Sequence, residues 1–269
     1  MQDIRIALVV MNCPLGKNAE NLDRLADRVL AAGKKGADII CFPELNITGY
    51  STRNDPGRTA EPVPGPASER LCELAVGEKV TILVGLAEKG PRHQVFATHL
   101  VITPDGLAGI YRKLHIAPPE LSIFSGGDRV PLFETKGCRF GIQLCYDTHF
   151  PELATKMALR GADLVFMPHA SPRGTPDEKL NSWMRHLTAR AFDNGLFIAA
   201  CNQTGGNGRG LDFPGVAVVI GPSGDLMYSR ADGREGILMA DLKAADLEKV
   251  REHRMRYFLP NRRPELYGI

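Results

Sequence analysis

The chain has 269 residues, and its 33 Lys and Arg nearly balance its 31 Asp and Glu, which leaves a formal net charge of +2. This balance gives no reason to expect a nucleic acid or an anionic membrane as a partner. No apolar run approaches the roughly 20 residues that a membrane-spanning helix requires. Asp3 and Arg5 interrupt any apolar stretch at the N-terminus that could act as a signal peptide.

Six cysteines are scattered widely along the chain, without a Cys-x-x-Cys pair or a Cys/His cluster. The pattern therefore indicates neither a zinc site nor a disulfide framework. Reduced thiols are typical of a cytoplasmic protein, which is the location we expect. We expect no metal and no cofactor.

The first half of the chain alternates strand patterns with helical ones. Residues 18–32 carry apolar side chains at helical spacing, and Gly33 follows as a C-cap. Residues 48–66 are rich in Pro, Gly and polar residues, which is typical of a loop. The predicted strands of this half cover 4–11, 37–42, 81–87, 95–103, 107–110, 130–134 and 139–144, and the predicted helices cover 18–32 and 67–76.

The second half continues the alternation. Its Gly-rich segment 205–210 lacks the Lys-Ser/Thr pair of a phosphate-binding loop, and no helical pattern follows, so we predict a flexible loop. The predicted helices of this half cover 152–160, 177–192 and 242–254, the predicted strands cover 162–167, 196–201, 216–220, 226–229 and 236–240, and 261–269 is polar.

No linker or low-complexity tract divides the chain. We therefore predict a single domain over residues 1–269, with 255–269 as a C-terminal tail. Apolar strands with helices between them favour an α/β fold in which helices cover a sheet.

Cys145 stands where an apolar strand pattern ends and a helix pattern follows, with Pro151 near the first helical turn. A thiol at such a corner is exposed on one side. It also feels the positive end of the next helix, which favours the thiolate. The alternative is a small buried hydrophobe, because free cysteines are often buried.

Two other charged side chains have the same placement. Glu44 closes the apolar run that begins at Ile39, and Lys113 follows the apolar run that ends at Ile110. Each could be a solvated surface charge. However, ligands bind at the carboxyl ends of the strands in α/β sheets, so Glu44, Lys113 and Cys145 together predict one site.

The segments around these residues resemble the nitrilase superfamily of carbon–nitrogen hydrolases. The matching motifs are Phe42-Pro43-Glu44, Tyr111-Arg112-Lys113-Leu114-His115 and the run from Cys145 to Glu152, in the family's order and spacing. The resemblance implies a four-layer α-β-β-α sandwich. It also implies a Glu–Lys–Cys triad at Glu44, Lys113 and Cys145, and places the family's second glutamate at Glu120.

The residue chemistry and the family mechanism imply acyl transfer to the thiol. Glu44 would be the base, provided that burial raises its pKa toward neutrality. Lys113 and the backbone N–H of Tyr146 would stabilise the oxyanion. True nitrilases usually carry Cys-Trp-Glu, whereas this chain has Cys145-Tyr146-Asp147, which resembles the amidase and carbamoyl-amidase branches.

Other polar residues near the motifs are candidates for the substrate pocket, and each has an alternative role in packing or at the surface. Arg173 could bind a substrate carboxylate bidentately, or be a surface arginine. We expect His115 to be a structural hydrogen-bonding residue, and Asp147 and Glu152 to fix the turn and the helix start. The candidate pocket residues are Tyr50, His149, His169, Arg173 and Asn202.

The sequence therefore predicts a hydrolase that cleaves a small linear amide or N-carbamoyl compound through a cysteine acyl-thioester. One alternative is a nitrilase that converts a nitrile to an acid and ammonia. Another is a non-catalytic scaffold that keeps the fold. Family members commonly associate through an outer helical layer, so the resemblance also implies a homodimer or a larger homo-oligomer.

Overall fold

The computed structural model describes residues 1–52 and 56–266, so the predicted loop at 48–66 and the predicted tail at 255–269 lie partly outside the described residues. The helices are α1 Asn18–Gly33, α2 Pro66–Glu78, α3 Pro151–Leu159, α4 Pro176–Met184, α5 Leu187–Asn194 and α6 Ala244–Arg251. The strands are β1 Ile4–Val10, β2 Ile39–Cys41, β3 Thr81–Lys89, β4 Val95–Thr103, β5 Gly106–Arg112, β6 Phe133–Thr135, β7 Cys138–Ile142, β8 Leu164–His169, β9 Phe197–Asn202, β10 Thr204–Gly206, β11 Asp212–Pro214, β12 Ala217–Ile220, β13 Leu226–Arg230 and β14 Gly236–Leu242.

The strands form two six-stranded mixed sheets and a small hairpin. The first sheet has the order β14-β1-β2-β3-β4-β5, and the second has the order β13-β12-β9-β8-β7-β6. The last strand of the chain, β14, lies antiparallel beside the first, β1. The first sheet therefore contains both the first and the last strand in chain order, and these two strands are neighbours.

Strand β1 shows why the sheets stack into layers. Successive side chains of a strand point to opposite faces, and nearly every residue of β1 is apolar and buried. Ile6 and Leu8 pack into the core that contains β8, β9 and β12 of the second sheet, whereas Ala7 and Val9 pack against α1 and α2. Since both faces of the strand are covered, β1 lies in an inner layer.

Helices form the two outer layers. Leu22, Leu25 and Val29 line one face of α1 at helical spacing and are buried against the first sheet. On the other side, α3 lies so close to β7 that a Cβ at Gly141 would approach the sulfur of Met157 to 2.5 Å. The predicted four-layer α-β-β-α sandwich is thus confirmed.

The helix predicted over 177–192 is wrong as a single element, because α4 ends at Met184 and α5 begins at Leu187. His186 leaves helical dihedrals, with φ −128° and ψ −33°. Its ring stacks on His149, and its Nε2 lies 3.3 Å from Thr148 Oγ1. These tertiary contacts of His186 interrupt the helix. The periodicity of the sequence does not reveal them.

The flexible loop predicted at 205–210 is also corrected, since its first residues belong to the hairpin β10–β11. Asn207 is buried at the turn. Its Oδ1 accepts hydrogen bonds from the backbone N–H groups of Arg209 and Leu211, and its Nδ2 donates to the carbonyl of Tyr50 at 2.8 Å. The Gly-rich segment therefore fixes the backbone at Tyr50.

The helices of the described residues are too short or too polar to cross a lipid bilayer.

The predicted C-terminal tail, 255–269, packs on the domain at least at Leu259, which is buried against the main core.

Candidate active site

Three loops that leave strand ends meet at one edge of the sandwich. Glu44 follows β2, Lys113 follows β5 and Cys145 follows β7. β2 runs parallel to β3, and β4 runs antiparallel to both β3 and β5, so β2 and β5 end at the same edge of the first sheet. The second sheet contributes Cys145 from its own parallel strands β7 and β8.

The Lys113 ammonium is the centre of a buried ionic cluster. Its Nζ lies 2.9 Å from Glu44 Oε1, and 2.8 Å and 3.1 Å from the two carboxylate oxygens of Glu120. The Tyr50 hydroxyl donates to Glu120 Oε1 at 2.8 Å. Lys113, Glu44 and Glu120 are each no more than 2% exposed. Buried charges of this kind persist only when they are paired and hydrogen-bonded.

Backbone contacts hold the cluster in place. The second carboxylate oxygen of Glu44 accepts a hydrogen bond from the backbone N–H of Ala170 at 3.0 Å, and the carbonyl of Glu44 accepts one from Gln203 Nε2 at 2.8 Å. The N–H of Lys113 donates to the carbonyl of Ala97 at 2.9 Å. Both side chains are therefore positioned by the ends of the sheets rather than by a mobile loop.

The cluster holds two carboxyl groups and one ammonium, and this imbalance governs their proton affinities. Burial raises the pKa of Glu44 to about 7; the Lys113 charge opposes this rise, and the Glu120 charge adds to it. Burial works against the ammonium of Lys113, but the charges of Glu44, Cys145 and Glu120 outweigh it and raise the pKa of Lys113. The site thus keeps a charged lysine beside a carboxyl group that exchanges its proton near neutral pH.

Cys145 opens a 3₁₀ turn, Cys145–His149, between β7 and α3. Its φ of +43° lies in the left-handed region, which is rare for a residue with a side chain. The Thr148 hydroxyl donates to the Cys145 carbonyl at 2.7 Å, which closes the turn. Cys145 as a whole residue is partly exposed, as expected at a strand-to-helix corner. Backbone strain of this kind is common at functional sites.

The Asp147 carboxylate joins the loop of Cys145 to the loop of Lys113. It accepts hydrogen bonds from the backbone N–H of Leu144 at 3.1 Å, the backbone N–H of His115 at 2.8 Å and the Tyr111 hydroxyl at 2.8 Å. The His115 ring also contacts this carboxylate, at 2.8 Å, and stacks on Phe150. Asp147 fixes the turn and His115 is a structural hydrogen-bonding residue, as predicted.

The expectation that the helix start favours a thiolate is wrong. Burial raises the pKa of the Cys145 thiol, and the negative charge of Glu44 raises it further, while Lys113 opposes both effects. The 3₁₀ turn separates Cys145 from the first residue of α3, Pro151, so the thiol does not sit at the helix terminus. The sulfur therefore carries a proton until a base removes it.

Two of the predicted pocket residues lie in the cluster or next to it. Tyr50 is 7% exposed and contacts Glu120, as described above. Asn202 is fully buried and exchanges two hydrogen bonds with the backbone of Ser171, at 2.9 Å and 3.0 Å. Asn202 thus orders the segment that follows β8, next to the Ala170 N–H that binds Glu44.

The remaining predicted pocket residues are less enclosed, apart from His169. Tyr146 is partly exposed, and its ring packs on His149 and Phe150. His149 is exposed, and Arg173 is exposed with its backbone N–H bonded to the Asp212 carbonyl. His169 is buried against Trp183.

Sequence reasoning missed Lys179, which lies on α4. The ammonium of Lys179 is half-buried, and its charge lowers the pKa of the Cys145 thiol, as the charge of Lys113 does. The signal in the sequence was weak: Lys179 precedes Trp183 by four residues, which places both on one helix face. Only the fold brings this face to the segment after β8, where Lys179 Nζ donates to Ser171 Oγ at 2.7 Å and the Trp183 ring packs on His169.

Comparison with known proteins supports the resemblance seen in the motifs. A model of the carbon-nitrogen hydrolase family matches residues 5–252. N-carbamoylputrescine amidase of Solanum lycopersicum is 32% identical over 275 residues, covering 94% of this chain and 89% of that protein. Omega-amidase NIT2 of Bos taurus is 30% identical over 280 residues, covering 100% of this chain and 98% of that protein.

A solved amidase structure is also similar to this chain. It is a variant of the amidase from Nesterenkonia sp. AN1 showing covalent addition of the acetamide moiety of fluoroacetamide at the active site cysteine. It matches with a TM-score of 0.83 at 27% identity, and covers 98% of this chain and 96% of that one. The family model spans nearly the whole sandwich, and the chain belongs to the carbon–nitrogen hydrolase family.

Proposed function

We propose that the protein is a thiol amidohydrolase that cleaves the C–N bond of a small linear amide or N-carbamoyl compound. The observation that carries this proposal is the cluster of Glu44, Lys113 and Glu120 beside the Cys145 thiol. A nucleophile, a carboxyl group that titrates near neutrality and a fixed ammonium are the groups that acyl transfer to sulfur requires. The amidases among the relatives support the choice of an amide over a nitrile.

In the first half of the reaction, Glu44 accepts the proton of the Cys145 thiol. The sulfur forms a bond to the amide carbon, and the carbonyl electron pair moves to oxygen. The Lys113 ammonium and the backbone N–H of Tyr146 stabilise this oxyanion. When the tetrahedral intermediate collapses, the C–N bond breaks and Glu44 returns the proton to the leaving nitrogen, so that ammonia or an amine departs.

In the second half of the reaction, water hydrolyses the acyl-thioester. Glu44 accepts a proton from water, the resulting hydroxide adds to the thioester carbon, and the same donors stabilise the second oxyanion. The C–S bond then breaks, the carboxylic acid leaves and Glu44 returns the proton to sulfur. These steps use only the side chains of this chain and water.

Glu120 acts through Lys113 in this scheme. Its two oxygens hold the ammonium, and Tyr50 fixes the orientation of the carboxylate. We therefore assign to Glu120 and Tyr50 the positioning of Lys113, and to Asn202 the positioning of the segment after β8. Tyr146 and His149 belong to the same 3₁₀ turn as the thiol and would form the outer wall of the pocket.

Release of ammonia from butyramide tests the proposal. Butyramide is a suitable probe because the Nesterenkonia amidase was solved in complex with it. We expect turnover of butyramide in preference to butyronitrile, and a loss of at least about 10⁴-fold in kcat for Cys145→Ala. Cys72→Ala, which removes another partly exposed thiol, is the matched control. Preference for the nitrile would favour a nitrilase, and no turnover of any amide would favour a scaffold.

We also infer a homodimer or a larger homo-oligomer formed through the outer layer of α3 and α5. Leu159 on α3 and Phe192 on α5 are 54% and 44% exposed, and the Phe192 ring contacts Phe258, which is also exposed. Exposed apolar groups of this size are typical of protein interfaces. Light scattering on the purified protein tests this inference, with Phe192→Glu expected to favour the monomer.

The state of the cysteines supports a proposal for the compartment. All six are unpaired, and four of them are fully buried in the core. Since free thiols persist in a reducing environment, we infer that the protein works in the cytoplasm.

A further inference from the structure

Thr148 carries a buried hydroxyl group that the proposed reaction does not use. The residue is fully buried in the 3₁₀ turn of the thiol, and its Oγ1 donates a hydrogen bond to the Cys145 carbonyl at 2.7 Å. A threonine hydroxyl has one proton to donate, and a carbonyl oxygen only accepts. The proton of Thr148 therefore lies toward the oxygen of Cys145.

The Cys145 carbonyl belongs to the same peptide group as the Tyr146 N–H. Among the described residues the one cis peptide bond joins Val63 to Pro64, so the peptide between Cys145 and Tyr146 is trans. In a planar trans peptide the C=O and N–H groups point in opposite directions. The hydroxyl that fixes the direction of the carbonyl therefore also fixes the direction of the Tyr146 N–H, which is the proposed backbone donor to the oxyanion.

This peptide group depends on a restraint at its carbonyl end. Its first residue, Cys145, has a φ of +43°, a conformation that a residue with a side chain rarely adopts. The Tyr146 N–H lies in the first turn of a helical element, where N–H groups have no acceptor within the element. Within residues 1–52 and 56–266, no backbone carbonyl accepts this N–H. The N–H is thus free to bind a substrate oxygen, and the carbonyl is the end that the protein holds.

Helix α5 and the residue before it hold Thr148 from outside the turn. Arg190 donates from Nε to the Thr148 carbonyl and from Nη2 to the His149 carbonyl, each at 3.2 Å. His186 Nε2 lies 3.3 Å from the Thr148 hydroxyl oxygen, and the His186 ring stacks on the His149 ring. Since Arg190 is only 9% exposed, its hydrogen bonds are shielded from water. The backbone and the hydroxyl of Thr148 are therefore both fixed by a neighbouring element.

We propose that Thr148 is a positioning residue for the oxyanion, because its hydroxyl directs the Tyr146 N–H toward the developing charge and polarises it. This inference rests on the proposed function. A hydrogen bond to the carbonyl of a peptide group strengthens its N–H as a donor. A donor that is already oriented costs no reorganisation when the charge develops. Thr148 therefore contributes to the rate of the chemical step, and not to the binding of the amide.

Substitutions that preserve the shape of the side chain test the hydroxyl. Loss of a whole oxyanion donor lowers kcat by about 10²- to 10³-fold, so we expect Thr148→Val, which misdirects one donor, to lower kcat for butyramide by about 10- to 100-fold. KM should stay within about threefold, and Thr148→Ser should restore kcat to within about threefold of the wild-type value. Thr188→Val, on α5, is the matched control and should leave kcat unchanged, because the hydroxyl that it removes also donates to a carbonyl at 2.7 Å, that of Met184.

Two reactions of the thiol separate the oxyanion from the nucleophile. Butyraldehyde adds to a thiol with formation of an S–C bond and transfer of the thiol proton to oxygen, which places an oxygen where the oxyanion forms. We expect its inhibition constant to rise by about 10-fold or more in Thr148→Val. Iodoacetamide loses iodide from its methylene carbon and forms no oxyanion, so its rate of alkylation of Cys145 should stay within about twofold of the wild-type rate.

The outcomes are distinguishable. An unchanged kcat in Thr148→Val, or a kcat that Thr148→Ser does not restore, overturns the inference. If alkylation and turnover fall together, the hydroxyl supports the thiol turn as a whole, and the inference is wrong while the proposed function stands. Melting curves show whether Thr148→Val folds; if it does not, Thr148→Ala, which removes the hydroxyl without a bulky replacement, is scored in all three assays. If the wild-type protein hydrolyses no amide, the proposed function fails and the inference fails with it.

Discussion

The Asp147 carboxylate accepts hydrogen bonds from both the backbone N–H and the ring of His115, and so ties the turn of the thiol to the loop of the ammonium. Asp147 lies two residues after Cys145, and His115 lies two residues after Lys113. The pair therefore sets the relative position of two groups carried by different sheets. Asp147 is fully buried, and so is Tyr111, whose hydroxyl would lose its partner if the carboxylate were removed.

Replacing Asp147 by Ala should impair both folding and turnover. Each buried donor that it leaves unpaired costs about 1–3 kcal/mol, so we expect the melting temperature to fall by at least about 6 °C. We also expect kcat for amide hydrolysis to fall by at least about 10-fold in the protein that remains folded, because Cys145 and Lys113 are no longer held together. Asp128→Ala, at an exposed aspartate, is the control. An Asp147→Ala protein with wild-type melting and kcat would show that the two loops are held by other contacts.

The pH dependence of catalysis should report Glu44. The pKa of Glu44 is about 7, and the proposed base must be deprotonated to accept the thiol proton. We therefore expect kcat/KM for butyramide to rise with pH and to reach half its plateau near pH 7. Glu44→Gln should abolish most turnover and remove this limb from any residual rate. A limb that persists unchanged in Glu44→Gln would assign the titration to another group.

The raised pKa of Glu44 also affects the free energy of unfolding. Whereas catalysis should improve as the pH rises, stability should decrease. The carboxyl group of Glu44 binds its proton more tightly in the folded chain than at its ordinary pKa of 4.5. Its contribution to stability is therefore complete below about pH 4.5 and is lost as the pH rises through about 7. We expect Glu44→Gln to keep its melting temperature better than the wild-type protein as the pH rises from about 4.5 to about 7, which is the window of this loss. Parallel melting curves for the two proteins would contradict this.

Removing the ammonium should be more harmful than removing either carboxylate. Lys113→Met leaves Glu44 and Glu120 buried side by side without a cation, and breaking a buried ion pair in this way typically costs about 3–5 kcal/mol. Urea unfolding of Lys113→Met measures the loss. Lys35→Met, at an exposed lysine, should change the unfolding free energy by less than about 0.5 kcal/mol.

Alkylation of the native protein should distinguish the thiols. Cys145 and Cys72 are partly exposed, whereas Cys13, Cys41, Cys138 and Cys201 are at most 1% exposed. We expect iodoacetamide, itself a small amide, to modify Cys145 first, and the rate to fall in Glu44→Gln because the proton acceptor is missing. Peptide mass mapping identifies the modified residue. Preferential labelling of Cys72 would argue against activation of Cys145.

The positions of Glu44, Lys113 and Cys145 at strand ends were predictable because each follows an apolar run with a strand pattern. Ligands bind at the carboxyl ends of strands in α/β sheets, which is why the runs suggested one site. The pairing of two sheets, which brings Cys145 to Glu44 and Lys113, was not visible in the runs. The raised pKa of Cys145 was not predictable, since it depends on burial and on the charge of Glu44 across the sheets. Lys179 was missed for the same reason, because its helix meets the site only through the fold.

The break between α4 and α5 shows where local patterns fail. The apolar spacing of 177–192 is compatible with one helix, and no Pro or Gly interrupts it. The contacts of His186 with His149 and Thr148 nevertheless turn the chain at this point. Tertiary contacts of this kind override periodicity, and a single sequence does not reveal them.

The reacting sulfur is carried by one sheet, and its carboxyl and ammonium partners are carried by the other. A sliding displacement of one layer past the other would separate them while every strand stayed intact. The apolar side chains between the layers, such as Leu8 of β1, therefore set the spacing of the reacting groups. Substitutions between the two sheets can thus abolish activity without changing any residue that contacts the substrate.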